Sequence, residues 1–511
     1  MSKPQPTQNE IDLESPLGIT RLMHDPTTEE TALVKKAFVF AKKVNEGRKR
    51  FSGEPNFKHL AETAWILSEL GASAPTIVAG LLHDSIEDAG VDRSVIIKEF
   101  GEEVTFLIDG VSKLGHLKYK GADRHNESLR KLFVAMSEDI RVLLIKLSCR
   151  LHNMRTLAYV PKDKQKRLAT ETLEIYAPIA YRLGIRKINR ELEDLSFPYV
   201  YPKEFSEMKK TLKEHHFDRT DSLEKFSRSV KKALAKEGLT KVKTEYRVKG
   251  LYSLYNKYLR YDKDLDKIYD LSAMRVLVDT VADCYRVLGA VHARWKPLPG
   301  RIKDYISNPK HNGYQALHTT IFIGDGNIVE VQIKTHDMHK YSEYGIASHL
   351  SYKGGKENRD VLAWVHALLP NSKESGKDKN RDVPKWITEL AKYEELSKDY
   401  RLFREGLTSE FFNHRIFVFS PKGDVVDLPI DSTAIDFAYH IHSDIGNKMS
   451  GAKVNGKLVS LDTTLKNGDI VLIETKENAK PNRKWLEMAK TSMTKRHIRH
   501  RLQELKGLER N

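Results

Sequence analysis

The sequence predicts a multidomain chain: an all-α domain, then an α/β domain with a mixed sheet, then a small β-grasp domain. Three observations lead there. From about position 28 to 199, apolar residues recur three and four apart in "HLAETAWILSELGAS", "TIVAGLLHDSIEDAG" and "DIRVLLIKLSCRLHNMRTLAYV", the period of one helix face. From about position 241 to 355, "MRVLVDTV" and "TTIFIGDGNIVEVQIKT" turn to strand-like character between helical stretches. "HRIFVFSPKGDVVDLPIDSTAIDFAYHIH", "KVNGKLVSL" and "DIVLIET" then read as strands around one helix. A chain of 511 residues is also too long for a single core.

Each element follows from local chemistry. Residues 1–27 lack an apolar stretch and form a flexible start; glycines close several helices of the 28–199 region. Residues 200–240 are Lys-rich and amphipathic, a helical connector. The two strands of "TTIFIGDGNIVEVQIKT" meet through Gly324-Asp325-Gly326-Asn327, a hairpin turn. Residues 356–410 make a linker with helices, including the Lys- and Ser-rich stretch 372–382. In the 411–476 domain the chain turns at Pro421-Lys422-Gly423, and Ser432 or Thr433 opens the helix. Residues 477–511 end the chain in a basic helix.

Composition narrows the partners. Lys plus Arg number 86 against 70 Asp plus Glu, a net charge of +16, which favours polyanions such as nucleotides or RNA. A hydrophobic content of 40% excludes global disorder. Cys149 and Cys284 are the only cysteines, so a disulfide framework is excluded and a reducing, cytoplasmic setting expected. No uncharged apolar run is long enough to span a bilayer, and no membrane partner is expected.

Two constellations carry chemistry. In "LLHDSIEDAG" a helix would set His83 over Glu87 and Asp84 over Asp88. Two acids on one patch repel unless a cation or proton lies between them. The pattern suits a metal site, with His83 and Asp84 as ligands and Glu87 and Asp88 handling a metal-bound water. The plainer alternative is a solvated acidic helix end. "SGEPNFKHLAETA" with His59, and "LIKLSCRLHNMRTL" with Cys149, His152 and Asn153, could supply further ligands.

The second lies in "RVKGLYSLYNK", where Arg247, Lys249, Ser253 and Lys257 gather at a helix opening, as phosphates require. Asp270 precedes the strand bearing Arg275, and "PGRIKDYISNPKHNGYQALHTT" adds Arg301, Lys303, Lys310, Tyr314 and His318. Glu330, Gln332 and Lys334 alternate with Val329, Val331 and Ile333, so the polar trio shares one sheet face. Asp270 and Glu330 could hold Mg²⁺ or act as a base, the cations could bind polyphosphate, and Tyr314 could stack on a nucleobase. An ordinary basic surface is the alternative.

The wording of these segments adds a resemblance. "SGEPxxxHxxxxA", "LLHDxxED" and "LxxRLHNMRTL", in that order, resemble the HD-type phosphohydrolase domain of the RelA/SpoT homologues, bifunctional (p)ppGpp synthetase/hydrolases. The resemblance implies Mn²⁺ held by His59, His83 and Asp84, Glu87 and Asp88 as acid/base pair, and Arg50, Asn153 and Thr156 on the nucleotide. The family's fourth ligand is an Asp, and here Cys149 stands in its place. Mn²⁺ prefers carboxylate oxygen, whereas a thiolate suits Zn²⁺ better. Three outcomes are open: weakened or absent hydrolysis, normal hydrolysis with water as fourth ligand, or a site retuned to another metal.

"YRVKGLYSLYNK", the stretch from "IYDLSAMRVLV" through "NGYQALHTT", and "EVQIKTHDMHKYSEYGIASH" resemble the same family's synthetase domain, a nucleotidyltransferase-like fold. That implies transfer of the ATP β,γ-pyrophosphoryl group to the 3′-hydroxyl of GTP or GDP. Arg247, Lys249, Arg275 and Lys303 would bind phosphates. Asp270 would coordinate Mg²⁺, Glu330 would assist deprotonation of the hydroxyl, and Tyr314 would stack on guanine. The last domain resembles the TGS module, which implies contact with tRNA or the ribosome. His442 is the matching candidate, although the family's "VGH" reads "IGN" with Asn447 here. Beside the synthetase reading stand a predominantly hydrolytic enzyme and a non-catalytic nucleotide- or RNA-binding regulator.

Overall fold

In the computed structural model, residues 15–23, 25–113, 139–214, 220–248, 250–265, 268, 272–309, 313–323, 327–345, 415–421, 425–466 and 468–508 are described. They fall into two units, one holding the helical region and the mixed sheet, the other the β-grasp fold.

The helical region runs through α1 (Leu17–Leu22), α2 (Thr28–Val44), α3 (Asn56–Glu69), α4 (Ala74–Leu82), α5 (Arg93–Lys113), α6 (Ile140–Arg155), α7 (Lys162–Glu171), α8 (Ala177–Arg182) and α9 (Arg186–Val200). Thr27 and Glu30 form a reciprocal capping box that starts α2. Helices α3, α4 and α6 close around fully buried Leu60, Leu67, Ile77, Leu81, Leu144 and Leu147. Gly80 lets α3 and α4 approach, because a Cβ there would strike the Leu67 side chain. That approach brings the His59 and His83 rings to 5.4 Å between centroids.

The "HDxxED" segment is not the continuous helix expected from the sequence. Helix α4 stops at Leu82, and residues 83–89 form turns. The His83 ring lies with Nδ1 2.8 Å from the Gly80 carbonyl oxygen, the acceptor a continuing helix would give to residue 84. One helical bond survives, from the Asp88 N–H to the Asp84 carbonyl at 3.0 Å, so these two keep their four-residue relation.

The sheet has five strands: β1 (Lys243–Val248), β2 (Ser272–Val278), β3 (Lys303–Asp304), β4 (Leu317–Ile323) and β5 (Asn327–Thr335), in the order β1-β2-β5-β4-β3. Only β2–β5 is parallel, so the sheet is mixed as expected. Around it lie α10 (Pro202–Glu214), α11 (Thr220–Lys236), α12 (Leu251–Arg260), α13 (Val281–Arg294) and α14 (His336–Tyr344). Met274, Val276, Val329, Val331 and Ile333 pack under Phe226, Val230 and Leu234 of α11 and Cys284, Val287 and Val291 of α13. Half of the expected connector is therefore sheet core. Its apolar residues recur at helical spacing, which the Lys-rich composition masks.

Helix α9 belongs to both halves. Arg155 of α6 forks onto Glu191 with contacts of 2.6 and 3.0 Å. On the sheet side Arg190 pairs with Glu343 of α14, and Asp194 accepts the Tyr252 N–H of α12 at 3.0 Å. Between them, burial above all, with Asp194 adding to it, raises the Glu193 carboxyl to about 7. A folded chain that holds this proton more tightly than the unfolded chain loses stability as pH rises from about 4.3 to 7 and none beyond. Glu193→Gln is therefore expected to gain roughly 3–4 kcal/mol over wild type at pH 8 and almost nothing near pH 4. Denaturant melts across that range check it; a pH-independent difference would mean an ordinary Glu193.

The second unit pairs β6 (Arg415–Phe419) with β7 (Val425–Pro429), then adds α15 (Ala434–Ile441), α16 (Ser443–Asn447), β8 (Met449–Val454), β9 (Lys457–Val459) and β10 (Val471–Thr475). A β10-β8-β9 sheet joins the first hairpin through the parallel Phe419–Ile470 bridge. Thr433, with Asp436, caps α15. The basic tail is no appendage: Trp485 of α17 (Trp485–Met488), Ala489 just after it and Ile498 of α18 (Ser492–Leu508) are buried against Ala434, Ile435 and Ala438. The stretch 372–382 lies outside the described residues.

Candidate active sites

The first site forms where α3, the end of α4 and α6 meet. His59, His83 and Cys149 are all buried, and their candidate donor atoms lie within 4.8 Å of one another. Cys149 Sγ is 3.5 Å from His59 Nε2. The other His59 nitrogen, Nδ1, meets Nδ1 of His152 at 2.9 Å, so His152 orients the ring. Asp84 Oδ1 stands 3.1 Å from His83 Nε2, although that nitrogen is buried without a hydrogen bond of sound geometry. Glu87 and Asp88 are exposed in the turns that follow α4.

The electrostatics follow from this packing. Burial, then the Arg50 guanidinium, holds His59 well below its ordinary value and His152 at about 3. Burial would lower His83 as well, but the facing Asp84 carboxylate and Cys149 sulfur raise it to about 9. Burial would raise the Cys149 thiol, yet His83 and the Lys146 ammonium bring it below its usual value.

The nucleotide-contact candidates gather next to this group. Arg50 donates to Asn153 Oδ1 at 2.6 Å, and Asn153 Nδ2 lies 3.6 Å from Cys149 Sγ. A cavity of about 360 Å³ opens there, lined by Lys49, Arg50, Ser52, Asn56 and Thr156 among others. It places two cations and several hydrogen-bond donors beside the buried donor atoms, a fit for a phosphorylated ligand. His152 carries a role that spacing alone did not single out, although residues 149, 152, 153 and 156 share one face of α6.

The second site is the polar face of the mixed sheet. Strand register sets Glu245, Arg275, Gln332, His318 and Lys303 in one row across all five strands. In the next row Glu330 stands opposite Ala273, which pairs with Arg247. Glu330 is the focus: His318 Nδ1 lies 3.0 Å from one carboxylate oxygen, and Gln332 donates to the other at 2.7 Å. Burial would raise this carboxyl, but those partners and the charge of Lys257 hold it at about 2. Tyr314 continues the chain, its hydroxyl 2.8 Å from His318 Nε2.

Other candidates are engaged differently from the expectation. Arg275 is buried between Glu245 (3.1 Å) and Glu343 (3.0 Å). The Tyr314 ring is only 4% exposed, with Arg186 of α9 5.0 Å and Lys334 4.7 Å from its centroid. The opening of α12, read as a phosphate site, receives the Asp194 carboxylate, an anion suited to a helix N-terminus. Ser253 is half-buried on that helix, Arg301 is half-buried, and Lys303 is exposed on the edge strand. Asp270, Lys249 and Lys310 lie outside the described residues. In the β-grasp unit His442 is exposed and caps α16, and Asn447 accepts from the Tyr439 hydroxyl at 3.0 Å.

Fold and sites together define a class: multidomain proteins that join a helical His-Asp domain to a mixed-sheet polar site and a β-grasp module. Residues 37–186 match the HD domain, 246–357 the region found in RelA/SpoT proteins, and 416–475 the TGS domain. The chain is 43% identical over 491 residues to the GTP pyrophosphokinase of Streptomyces coelicolor, covering 95% of this chain and 57% of that protein. It is 43% identical over 488 residues to the GTP pyrophosphokinase of Myxococcus xanthus, covering 95% and 62%. The guanosine-3′,5′-bis(diphosphate) 3′-pyrophosphohydrolase of Aquifex aeolicus is 41% identical over 496 residues, covering 97% of this chain and 68% of that protein. The chain belongs to the RelA/SpoT family. It spans less than two thirds of the length of the two pyrophosphokinases.

Proposed function

We propose that this chain makes, and to an extent set by Cys149 also breaks, guanosine tetra- and pentaphosphate. In the synthetic direction the β,γ-pyrophosphoryl group of ATP passes to the 3′-hydroxyl of GTP or GDP, releasing AMP. The observation that carries the reading is Glu330, held ionised by His318 and Gln332 on a sheet face edged with cations. A carboxyl at about 2 is a weak proton acceptor at neutral pH. Its fixed charge serves better to orient the attacking hydroxyl and to hold a cation. Lys257 and Lys303 would offset phosphate charge, and most of the rate would come from alignment and neutralisation.

A carboxylate oxygen is the donor type Mg²⁺ prefers, so Glu330 fits that ion, with Asp270 as its nominated partner. Bound Mg²⁺ would draw off charge from the transferring phosphoryl groups. In the helical domain, His59, His83 and Asp84 would hold a divalent cation, Mn²⁺ by family resemblance. Arg50, Asn153 and Thr156 would position the nucleotide, and Glu87 and Asp88 would move protons. The cation would activate water for attack on the 3′-pyrophosphate.

A predominantly hydrolytic enzyme is the second reading. Arg186 against the Tyr314 ring and Asp194 at the α12 opening favour it, since both stand where synthetase ligands would sit. No helix among the described residues is long and apolar enough to cross a membrane. Exposed His442, Arg496 and Arg499 support tRNA or ribosome contact by the β-grasp unit. Purified protein with ATP and GDP or GTP in Mg²⁺, and separately with ppGpp in Mn²⁺, separates the readings by chromatography. AMP with ppGpp or pppGpp is expected in the first mixture; no AMP with either acceptor would overturn the synthetase assignment.

A further inference from the structure

The donor set of the helical site is two imidazoles and a sulfur, with one carboxylate alongside. His83 turns Nδ1 toward the Gly80 carbonyl oxygen at 2.8 Å. Because that oxygen can only accept, Nδ1 keeps its proton, and Nε2 is the nitrogen left to bind an ion, within 4.8 Å of the donor atoms of His59 and Cys149. Nε2 is buried, with the Asp84 carboxylate 3.1 Å away but no hydrogen bond of sound geometry. A buried imidazole nitrogen left so is costly unless something binds it. His59 is fixed in the complementary way: Nδ1 meets His152, and Nε2 faces Cys149 Sγ at 3.5 Å. Nitrogen and sulfur donors about 2.1 and 2.3 Å from a tetrahedral ion lie roughly 3.5 Å apart, so this pair already has the spacing of one coordination edge.

Sulfur changes which ion such a site selects. Thiolate and imidazole suit Zn²⁺ and Co²⁺ geometrically and electronically, while Mn²⁺ favours oxygen donors and lies lowest in the divalent affinity order. Asn153 Nδ2, 3.6 Å from Sγ, supplies the kind of outer-shell donor that fixes a ligand in place. Asp84, 3.1 Å from His83 Nε2, stands ready as the fourth donor.

We infer that the helical domain binds a thiophilic divalent cation of the Zn²⁺/Co²⁺ class in preference to Mn²⁺, with His59, His83, the Cys149 thiolate and Asp84 as its ligands. The inference rests on the hydrolase-site reading for the position and departs from it on the ion. Cys284, the only other cysteine, lies in the sheet core and cannot supply the sulfur.

The test is Co²⁺ titration of metal-stripped, full-length protein, followed by absorption. One equivalent should bring up visible bands of tetrahedral intensity and a near-ultraviolet sulfur-to-cobalt band. Equimolar Zn²⁺ should abolish both, and a tenfold excess of Mn²⁺ should not. Cys149→Ser should lose the near-ultraviolet band and weaken Co²⁺ binding at least about 100-fold, by competition with a chelator. Cys149→Asp, which restores an oxygen donor, should lose the same band yet bind Mn²⁺ more tightly than wild type does.

Three results would each overturn the inference: no sulfur band in wild type, a band that survives Cys149→Ser, or displacement of Co²⁺ by Mn²⁺. Failure of the hydrolase reading is separate. It would leave the cobalt spectrum intact while ppGpp goes unhydrolysed with every cation. Failure of this inference would remove the Cys149-dependent band while Mn²⁺-supported hydrolysis could persist.

Discussion

Glu330→Gln is expected to cut AMP formation from ATP and GDP by about 10²–10⁴-fold while the chain stays folded. The wild-type carboxylate is fixed from both sides, by His318 at 3.0 Å and Gln332 at 2.7 Å. Gln keeps the shape and one acceptor oxygen, so the sheet face should survive. What it loses is the negative charge that the proposed chemistry needs beside the attacking hydroxyl and the cation. Initial rates of AMP release, with circular dichroism as the control for folding, check this. A variant within a few-fold of wild type would remove Glu330 from the mechanism, and with it the observation on which the synthetase reading stands.

Asp436→Ala should have the largest effect on stability, roughly 3 kcal/mol or more in the β-grasp unit. This carboxylate is fully buried. One oxygen accepts the Thr433 N–H at 2.9 Å and the Lys490 N–H at 3.0 Å; the other accepts the Thr491 N–H at 3.0 Å and its hydroxyl at 2.8 Å. Removing it strands these donors in a dry setting and unties the start of the basic tail from α15. Asn, which keeps one acceptor, should cost about half as much. Hydrogen exchange read over residues 434–441 and 493–504 would show the loss in both segments together. Protection that falls in the tail alone would mean the tail docks independently of α15.

The legible parts of this protein were those whose signals are local. The 2-residue alternation of Val329, Val331 and Ile333 against Glu330, Gln332 and Lys334 placed each set on its proper face, because a strand fixes that geometry by itself. The "HDxxED" turn was misread as helix because the competing donor, the His83 ring N–H at the Gly80 carbonyl, depends on how α4 packs. Half of the supposed connector proved to be sheet core, since Lys-rich composition says nothing about which face of α11 is covered.

By itself, the sequence determined the three fold classes in order, the two groups of polar residues, and the substitution of sulfur for a carboxylate at position 149. Only the tertiary structure decided which of those groups meet. His59, His83 and Cys149 come together because α3 and α4 approach at Gly80, and Arg186 and Asp194 reach the sheet site because α9 crosses from one half to the other. Spacing along a chain fixes neighbours only within one helix or strand. Which elements pack together is settled by burying their apolar faces, and that is a property of the whole fold.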